Sequence, residues 1–520
     1  VGTCEHGVAE AELNIGNVSA AIYNNGNLFW PGPNSQYEVP KGSGLKSHFS
    51  DYLVFGGMVD GELRMVSSSF GPFELWPGRI PDDGSPPDSC TAQDRFYEIL
   101  YDDLENAFQN RHVIEEWPAQ DGAPYLNLDG SPGYTPDAGD LPSIRGDQYI
   151  WWAMNDLGGP HDYSETPPLG VDVLSEAWAF DVEGDIGNTT FFRQTIVNRS
   201  QSVIQEMYVG RFADVDLGAA FDDYVGSDSS LSLAYFYNAD DDDEGSVGYG
   251  SAPPAFGFTT LEAHHSKGGL PTDTGADPSA FMTSVMAPSK SSSRYEPGNG
   301  ADFYWFLKGY WNDGVPMREG NYGQGDSGPI THYAYSGDPV AREYWTQINH
   351  DGTGQSQAPN DKRATAAYGP FDLAPGDSVS FTWAYVWARG NDHLDSVSRL
   401  KSITAYLHDV KDTLLAPREP MPVFIDGNPP EEPQYPFWVD EPWPNPASER
   451  LSLSYSLSLD GPVTVKIIDR LGRVRLIQEF STSNGPDLIN LDISSLSPGA
   501  YSVSVESWSH HASHSFVVLR

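Results

Sequence analysis

The sequence predicts a mainly β protein: several β-sandwiches with two minor helices and an Ig-like sandwich at the C-terminus. Three observations carry this. Gly (52) and Pro (41) are abundant and punctuate short runs of alternating apolar and polar residues, the period of a half-buried strand. Aromatic residues make up 12% of the chain, with 14 Trp and 27 Tyr, which supplies the large side chains such cores need. The 520 residues exceed the ~250–300 beyond which one core usually splits, so more than one domain is expected.

Residues 1–90 read as an N-terminal β region. Val18-Ser19-Ala20-Ala21-Ile22-Tyr23 leads through Asn24-Asn25-Gly26-Asn27 into Leu28-Phe29-Trp30, a hairpin signal because such turns require positive φ. A second hairpin is expected around Asp60-Gly61. Residues 91–415 read as the main sandwich. Its first helix is expected over 94–118, where Phe96, Ile99, Leu100, Leu104 and Phe108 fall near 3–4 spacing and Pro118 ends the run. Strands follow at 171–182, 189–198, 203–213, 231–237, 255–262, 303–310 and 379–388. A second helix is expected over 393–414, with Leu394, Val397, Leu400, Ile403, Leu407, Val410 and Leu414 on one stripe and Asp392 as its cap. Residues 416–440 are a stiff proline-rich linker. Residues 441–520 hold about seven short strands.

The chain carries 73 acidic against 29 basic residues, a net charge of −44. Such a surface repels nucleic acid and anionic lipid, attracts divalent cations and suits a salt-loving bacterium. Residues 441–520, with eight acids and six bases, are nearly neutral, so the excess belongs to the body. Two acidic groups are candidates for Ca²⁺. In the loop 127–140, Asn127, Asp129 and Ser131 alternate and Asp137 and Asp140 follow, the pattern of oxygens that converge on a hard cation; Pro132 stands where an EF-hand-type loop needs Gly. Asp214, Asp216, Asp222 and Asp223 form the second group, between two strands. The run 240–244 reads as a solvated charge run.

No enzyme motif holds up. Gly325-Asp326-Ser327-Gly328-Pro329 lacks the histidine motif of a trypsin-like protease. Gly376-Asp377-Ser378-Val379 opens an antiparallel strand and reads as a turn. His264-His265 and His510-His511-His514 have no carboxylates at ligand spacing. Trp151, Trp152, Trp305 and Trp311 are candidates for sugar stacking, the first pair better suited to a core. No apolar run is long enough to span a membrane.

The terminal segment contains Asp469-Arg470-Leu471-Gly472-Arg473 and, two strands later, Leu496-Ser497-Pro498-Gly499-Ala500-Tyr501. In that order they resemble the type A C-terminal sorting domain of the type IX secretion system. The body, with Trp117-Pro118-Ala119, Gly146-Asp147-Gln148, Asp214-Val215-Asp216-Leu217-Gly218 and Tyr237-Asn238-Ala239-Asp240, resembles large secreted proteins of the Bacteroidota–Rhodothermota group that carry the same domain. The resemblance implies export across the outer membrane to the cell surface or the medium, recognition of residues 441–520 by the secretion machinery, and a leader already removed before Val1. In an exported protein Cys4 and Cys90 are expected to pair. A stiff linker and a nearly neutral sandwich beside an acidic body lead us to expect a self-assembling filament, sheath or surface-layer subunit, docked by strand addition onto copies of itself. The alternatives are a calcium-stabilised adhesin or glycan-binding surface protein, and a secreted hydrolase.

Overall fold

The computed structural model describes residues 9–30, 37–68, 70–85, 96–105, 111–128, 130–268, 282–288, 294, 296–418, 438–457, 461–470, 473–482, 485–507 and 510–519. Two large antiparallel sheets form the body. The first runs, in spatial order, Ser284–Met286, Lys362–Leu373, Ile204–Val215, Ser50–Val59, Asn27–Leu28, Ser19–Tyr23, Tyr37–Glu38 and Lys46–His48; Glu10–Leu13 and Glu62–Val66 pair beside it. The second runs Asp223–Asp228, Leu233–Asn238, Ala255–Ser266, Ser378–Ala388, Thr189–Asn198, Val171–Ala179, Gln148–Asn155 and Trp76–Pro77, with Tyr97–Leu100 also on Gln148–Asn155.

Alternation along each strand decides what each face does. In Ser378–Ala388, Phe381, Trp383, Tyr385 and Trp387 point into a core shared with Phe55, Val209, Ala213 and Tyr368 of the first sheet. Ala384, Val386 and Ala388 point the other way, into a second cluster. There the helix His393–Leu414 lays Val397, Leu400, Ile403 and Leu407 on Tyr235, Tyr237 and Leu261. Its start is fixed by Asp392, whose side chain accepts from the Asp395 amide at 2.7 Å. On the outer face of the first sheet the helix Gly300–Leu307 packs Phe303, Tyr304 and Leu307 on Tyr52, Val54 and Phe212. The body is thus helix, sheet, sheet, helix. The expected hairpin at Asp60-Gly61 joins Ser50–Val59 to Glu62–Val66, both turn residues at positive φ (52° and 82°).

A polar group sits between the sheets. Arg211 donates from Nε to Asp51 at 2.5 Å, and the Tyr385 hydroxyl, from the opposite sheet, donates to Asp51 Oδ2 at 2.9 Å. The guanidinium lies 5.5 Å from the Trp383 ring. Burial raises the Asp51 carboxyl to about 6, although Arg211 and Tyr385 pull it down. His48, beside it, donates from Nε2 to the Ser50 carbonyl at 2.9 Å; burial, reinforced by Arg211, brings it down to about 3.

The last domain is a separate small sandwich. One sheet holds Trp438–Val439, Arg450–Leu457 and Gly485–Asp492; the other holds Val474–Thr482, Gly461–Asp469, Gly499–Ser507 and His510–Val518. Leu451, Leu453, Tyr455, Val463, Val465, Ile467, Val503 and Val505 alternate into its core.

Three expectations change. Residues before 90 have no core of their own: Ser50–Val59 pairs with Ile204–Val215 and shares its core with the second sheet. The expected helix over 94–118 begins as the strand Tyr97–Leu100, because Ile99 and Tyr97 suit a sheet edge beside Trp151; short helices follow at Tyr101–Glu105 and Arg111–Glu115. The expected strand at 303–310 falls instead in the helix Gly300–Leu307, which Asn299 caps by accepting from the Asp302 amide at 3.0 Å. Cys4, Cys90 and linker residues 419–437 lie outside the described residues.

Two outcomes follow for the buried polar group. Arg211→Met leaves Asp51 without its cation and should cost about 3–5 kcal/mol in urea unfolding. His48 stays neutral in the fold, so its contribution is complete above pH 6.5 and is lost as pH falls towards about 3. Asp51 acts oppositely: its contribution is complete below 3.8 and is lost as pH rises through about 6. The melting temperature of His48→Gln should therefore fall less steeply than that of the wild type on acidification from pH 6.5.

Candidate functional sites

Register builds the first site. On the outer face of the second sheet, beyond the helix, Trp151 pairs with Glu176, Glu176 with Arg193, Arg193 with Thr382, and Thr382 with Glu262. One straight row of side chains therefore crosses five strands. The next row is Ala153, Leu174, Thr195, Ser380 and His264. A cavity of about 430 Å³ lies over these rows, walled by Trp151 and Arg145 and by the segment that includes Tyr125. Glu176 takes Arg145 Nη1 at 2.5 Å and the Tyr149 hydroxyl at 2.7 Å. Arg193 donates to Glu262 at 2.5 Å and to the Thr382 hydroxyl at 2.9 Å. Both guanidiniums flank the Trp178 ring, at 5.7 and 6.0 Å. Burial alone would raise the Glu262 carboxyl, but His264, 3.2 Å away, and Arg193 outweigh it and bring it to about 2. His264 is 6% exposed, and among the described residues its Nδ1 has no hydrogen-bond partner.

The second site is acidic. Asp214, Asp216 and Asp361 place carboxylate oxygens within 4.8 Å of one another. A cation is already there: Arg363 lies 3.0 Å from Asp214, 2.7 Å from Glu296 and 3.3 Å from Asp361. Asp222 and Asp223 stand apart from that arginine. Asp223 is fully buried; one oxygen accepts from the Leu217 amide at 3.1 Å, and among the described residues Oδ1 has no hydrogen-bond partner. Burial raises its carboxyl far above the usual range, and Asp222, Asp216 and Asp243 push it further. Both Asp222 oxygens are shielded from solvent, and the Glu244 side chain lies against them. Lys362, the cation nearest Asp223, is itself brought down to about 8 by burial.

The expected loop at 127–140 does not gather its oxygens. Asp140 uses both of them on the amides of Leu128 and Thr135, each at 2.8 Å. Asn127 accepts from Gly130 and donates to the Ser131 carbonyl, closing a turn. Asp137 is exposed and pairs with Arg111. Asp129 lies outside the described residues. Among the described residues the other group of three is Asp241, Asp392 and His393, where Asp392 caps the helix and Asp241 holds His393.

The third site brings the two terminal motifs together. Asp469 pairs across the sheet with Tyr501. It receives Arg473 at 3.0 Å and Arg475 at 2.7 Å. The loop after Ser495 closes the other side, with the Tyr501 hydroxyl donating to the Ser497 carbonyl at 2.8 Å. Between them lies a cleft of about 470 Å³. Residues 442–519 match the family model of the secretion system C-terminal sorting domain. The sorting domain is that of the type IX pathway and directs export across the outer membrane, to the cell surface or the extracellular space. No curated protein matches the chain. A solved structure described as a polysaccharide lyase is similar at a TM-score of 0.21 and 9% identity, over 76% of this chain and 42% of its own. The chain thus spans less than half of that protein, and the likeness assigns neither fold nor function. Among the described residues no helix is long and apolar enough to cross a membrane.

Sequence reasoning missed the groove, Asp361 and Arg363. The available signal was a charged residue within a strand otherwise filled by apolar and small side chains, as with Glu176, Arg193 and Glu262. Trp152 is core, Trp151 is groove wall, Trp311 is buried and Trp305 is partly exposed. Removing residues 442–519 should leave the body inside the outer membrane, which cell fractionation will read as loss of the surface and medium pools.

Proposed function

We propose that the exported protein is a glycan-binding surface or extracellular protein, with the groove on the second sheet as its binding site. The observation that supports this is the set of polar side chains Arg145, Glu176, Arg193, Thr195, Ser380 and His264, which two adjacent rows of the sheet and its flank bring to the lining of a cavity of about 430 Å³. That volume suits one or two sugar rings and lies within the usual ~300–1,000 Å³ of ligand sites. Hydroxyl groups need donors and acceptors held at fixed spacing, and the paired guanidiniums and carboxylates supply both without free charge. Tyr125, half-buried in the lining, offers an apolar face to a ring.

Binding fits the groove better than hydrolysis. A glycosidase needs one carboxyl protonated near neutral pH. Glu262 at about 2 is ionised there, and Glu176 is occupied by Arg145 and Tyr149. Self-assembly through the linker is the rival reading; the linker lies mostly outside the described residues, and electron microscopy of the native material distinguishes polymer from dispersed particles.

A glycan array probed with the full chain should return a bound saccharide class. Arg193→Ala should weaken that binding by about 10–100-fold, the worth of a charged hydrogen bond. Thr195→Tyr, which fills the groove without removing a charge, should abolish it while the protein still melts cooperatively. No binding on the array, or binding that survives Thr195→Tyr, overturns the reading.

A further inference from the structure

The charge balance of the groove narrows the class of ligand it takes, given the reading that the groove is a saccharide site. The charged side chains in its lining are Arg145, Arg193 and Glu176. Each guanidinium is already matched. Arg145 donates to Glu176 at 2.5 Å, and Arg193 donates to Glu262 at 2.5 Å. Two cations and two carboxylates cancel, so the site has no net charge to set against a charged ligand. The other polar side chains of the lining are Ser143, Thr195 and Ser380, whose hydroxyls donate and accept alike, and His264. Around the groove the chain carries a net charge of −44, which repels anions at longer range.

His264 adds a second constraint. It stands in one row of the sheet with Ser380 and Thr195, and its Nε2 lies 3.2 Å from Glu262 Oε2. Glu262 titrates at about 2 and is ionised at neutral pH. An ionised carboxylate only accepts, so the hydrogen of the neutral imidazole belongs on Nε2 and Nδ1 keeps its lone pair. A lone pair suits a hydroxyl hydrogen and repels the oxygens of a carboxylate or sulfate. A sugar hydroxyl can donate to the ring and accept from Ser380 or Thr195 beside it. An anion in the same place would bury an unmatched charge, which is strongly unfavourable. We infer that the groove takes a neutral saccharide in preference to its uronate or sulfated counterpart, with Glu262 and His264 as the residues that set this preference. Glu262 does so by holding Arg193 neutralised and His264 in one tautomer.

The test uses the full chain and matched probes. Oligosaccharides of glucose, galactose and mannose are compared with the corresponding uronate oligomers, in which a carboxylate replaces the hydroxymethyl group. Calorimetric titration at neutral pH should find a neutral series that binds and a uronate counterpart at least about tenfold weaker, the cost of an unmatched charged group. Glu262→Gln leaves Arg193 without its carboxylate and gives the groove one positive charge. The ratio of neutral to uronate affinity should then fall by about tenfold, while the variant still melts cooperatively. If that variant does not fold, the wild-type ratio decides alone. Uronates that bind the wild type as tightly as the neutral series overturn the inference and leave the groove a saccharide site. An unchanged ratio in folded Glu262→Gln also overturns it, because charge balance is then not the cause. No binding of either series, here or on the glycan array, overturns the saccharide site itself, and this inference falls with it.

Discussion

The ion pair of Arg211 with Asp51, closed by Tyr385, is the interaction on which the body depends. It joins the two sheets through side chains inside their shared core, where Tyr37 with Thr190 and Asn198 with the Leu373 carbonyl also link them. A buried pair of this kind contributes little net stability, because desolvating two charges offsets most of their attraction. What it does is fix geometry. If the second sheet slipped by one residue, Tyr385 would leave the core and Asp51 would lose its second donor, while Ala384 or Val386 would meet it instead. The aromatic residues around it could pack in many arrangements; the hydrogen bonds accept one.

That register then determines the groove. Because the second sheet is held in one alignment, Glu176, Arg193, Thr382 and Glu262 fall opposite one another on its outer face, as Phe191 and Thr195 fall in place on either side. The helix His393–Leu414 covers the apolar part of the same face and stops short of the charged row, so the groove is the uncovered remainder of a helix-packed sheet. Its charges follow the same rule as the core. Each guanidinium is matched to a carboxylate, and both rest against Trp178. Trp178 itself stacks flat on Phe191, with centroids 5.6 Å apart, which fixes the floor beneath them.

Much of this was legible in the sequence, and the parts that were not share a cause. The mainly β class, the helix His393–Leu414 with its Asp392 cap, the turn at Asp60-Gly61 and the terminal sandwich are local signals: periodicity, a cap, a turn pair, a motif. The helix Gly300–Leu307 also had a local signal, Asn299 three residues before Asp302, but its aromatic run reads equally well as a strand. The groove has none. Trp151, Glu176, Arg193, Thr382 and Glu262 are spread over more than two hundred residues and become neighbours only through strand pairing. The acidic groups divide for a related reason. Spacing shows where oxygens are dense, but not that Asp140 is consumed by two backbone amides or that Arg363 arrives opposite Asp214 on the neighbouring strand, 149 residues away in sequence.

The chain's net charge of −44 is therefore not spread uniformly. Its few basic residues are placed where carboxylates are buried: Arg211 at Asp51, Arg193 at Glu262, Arg145 at Glu176, Arg363 at Asp214, and Arg79 with Arg199 at Asp172. Side chains in solvent need no such partner, since water and salt screen them. The interior follows a stricter accounting, and each buried acid above has its arginine. Asp156 meets the same demand with the amides of Leu169, Gly170 and Val171. Asp223 takes the Leu217 amide on one oxygen and faces Lys362, whose ammonium it favours against the cost of burial.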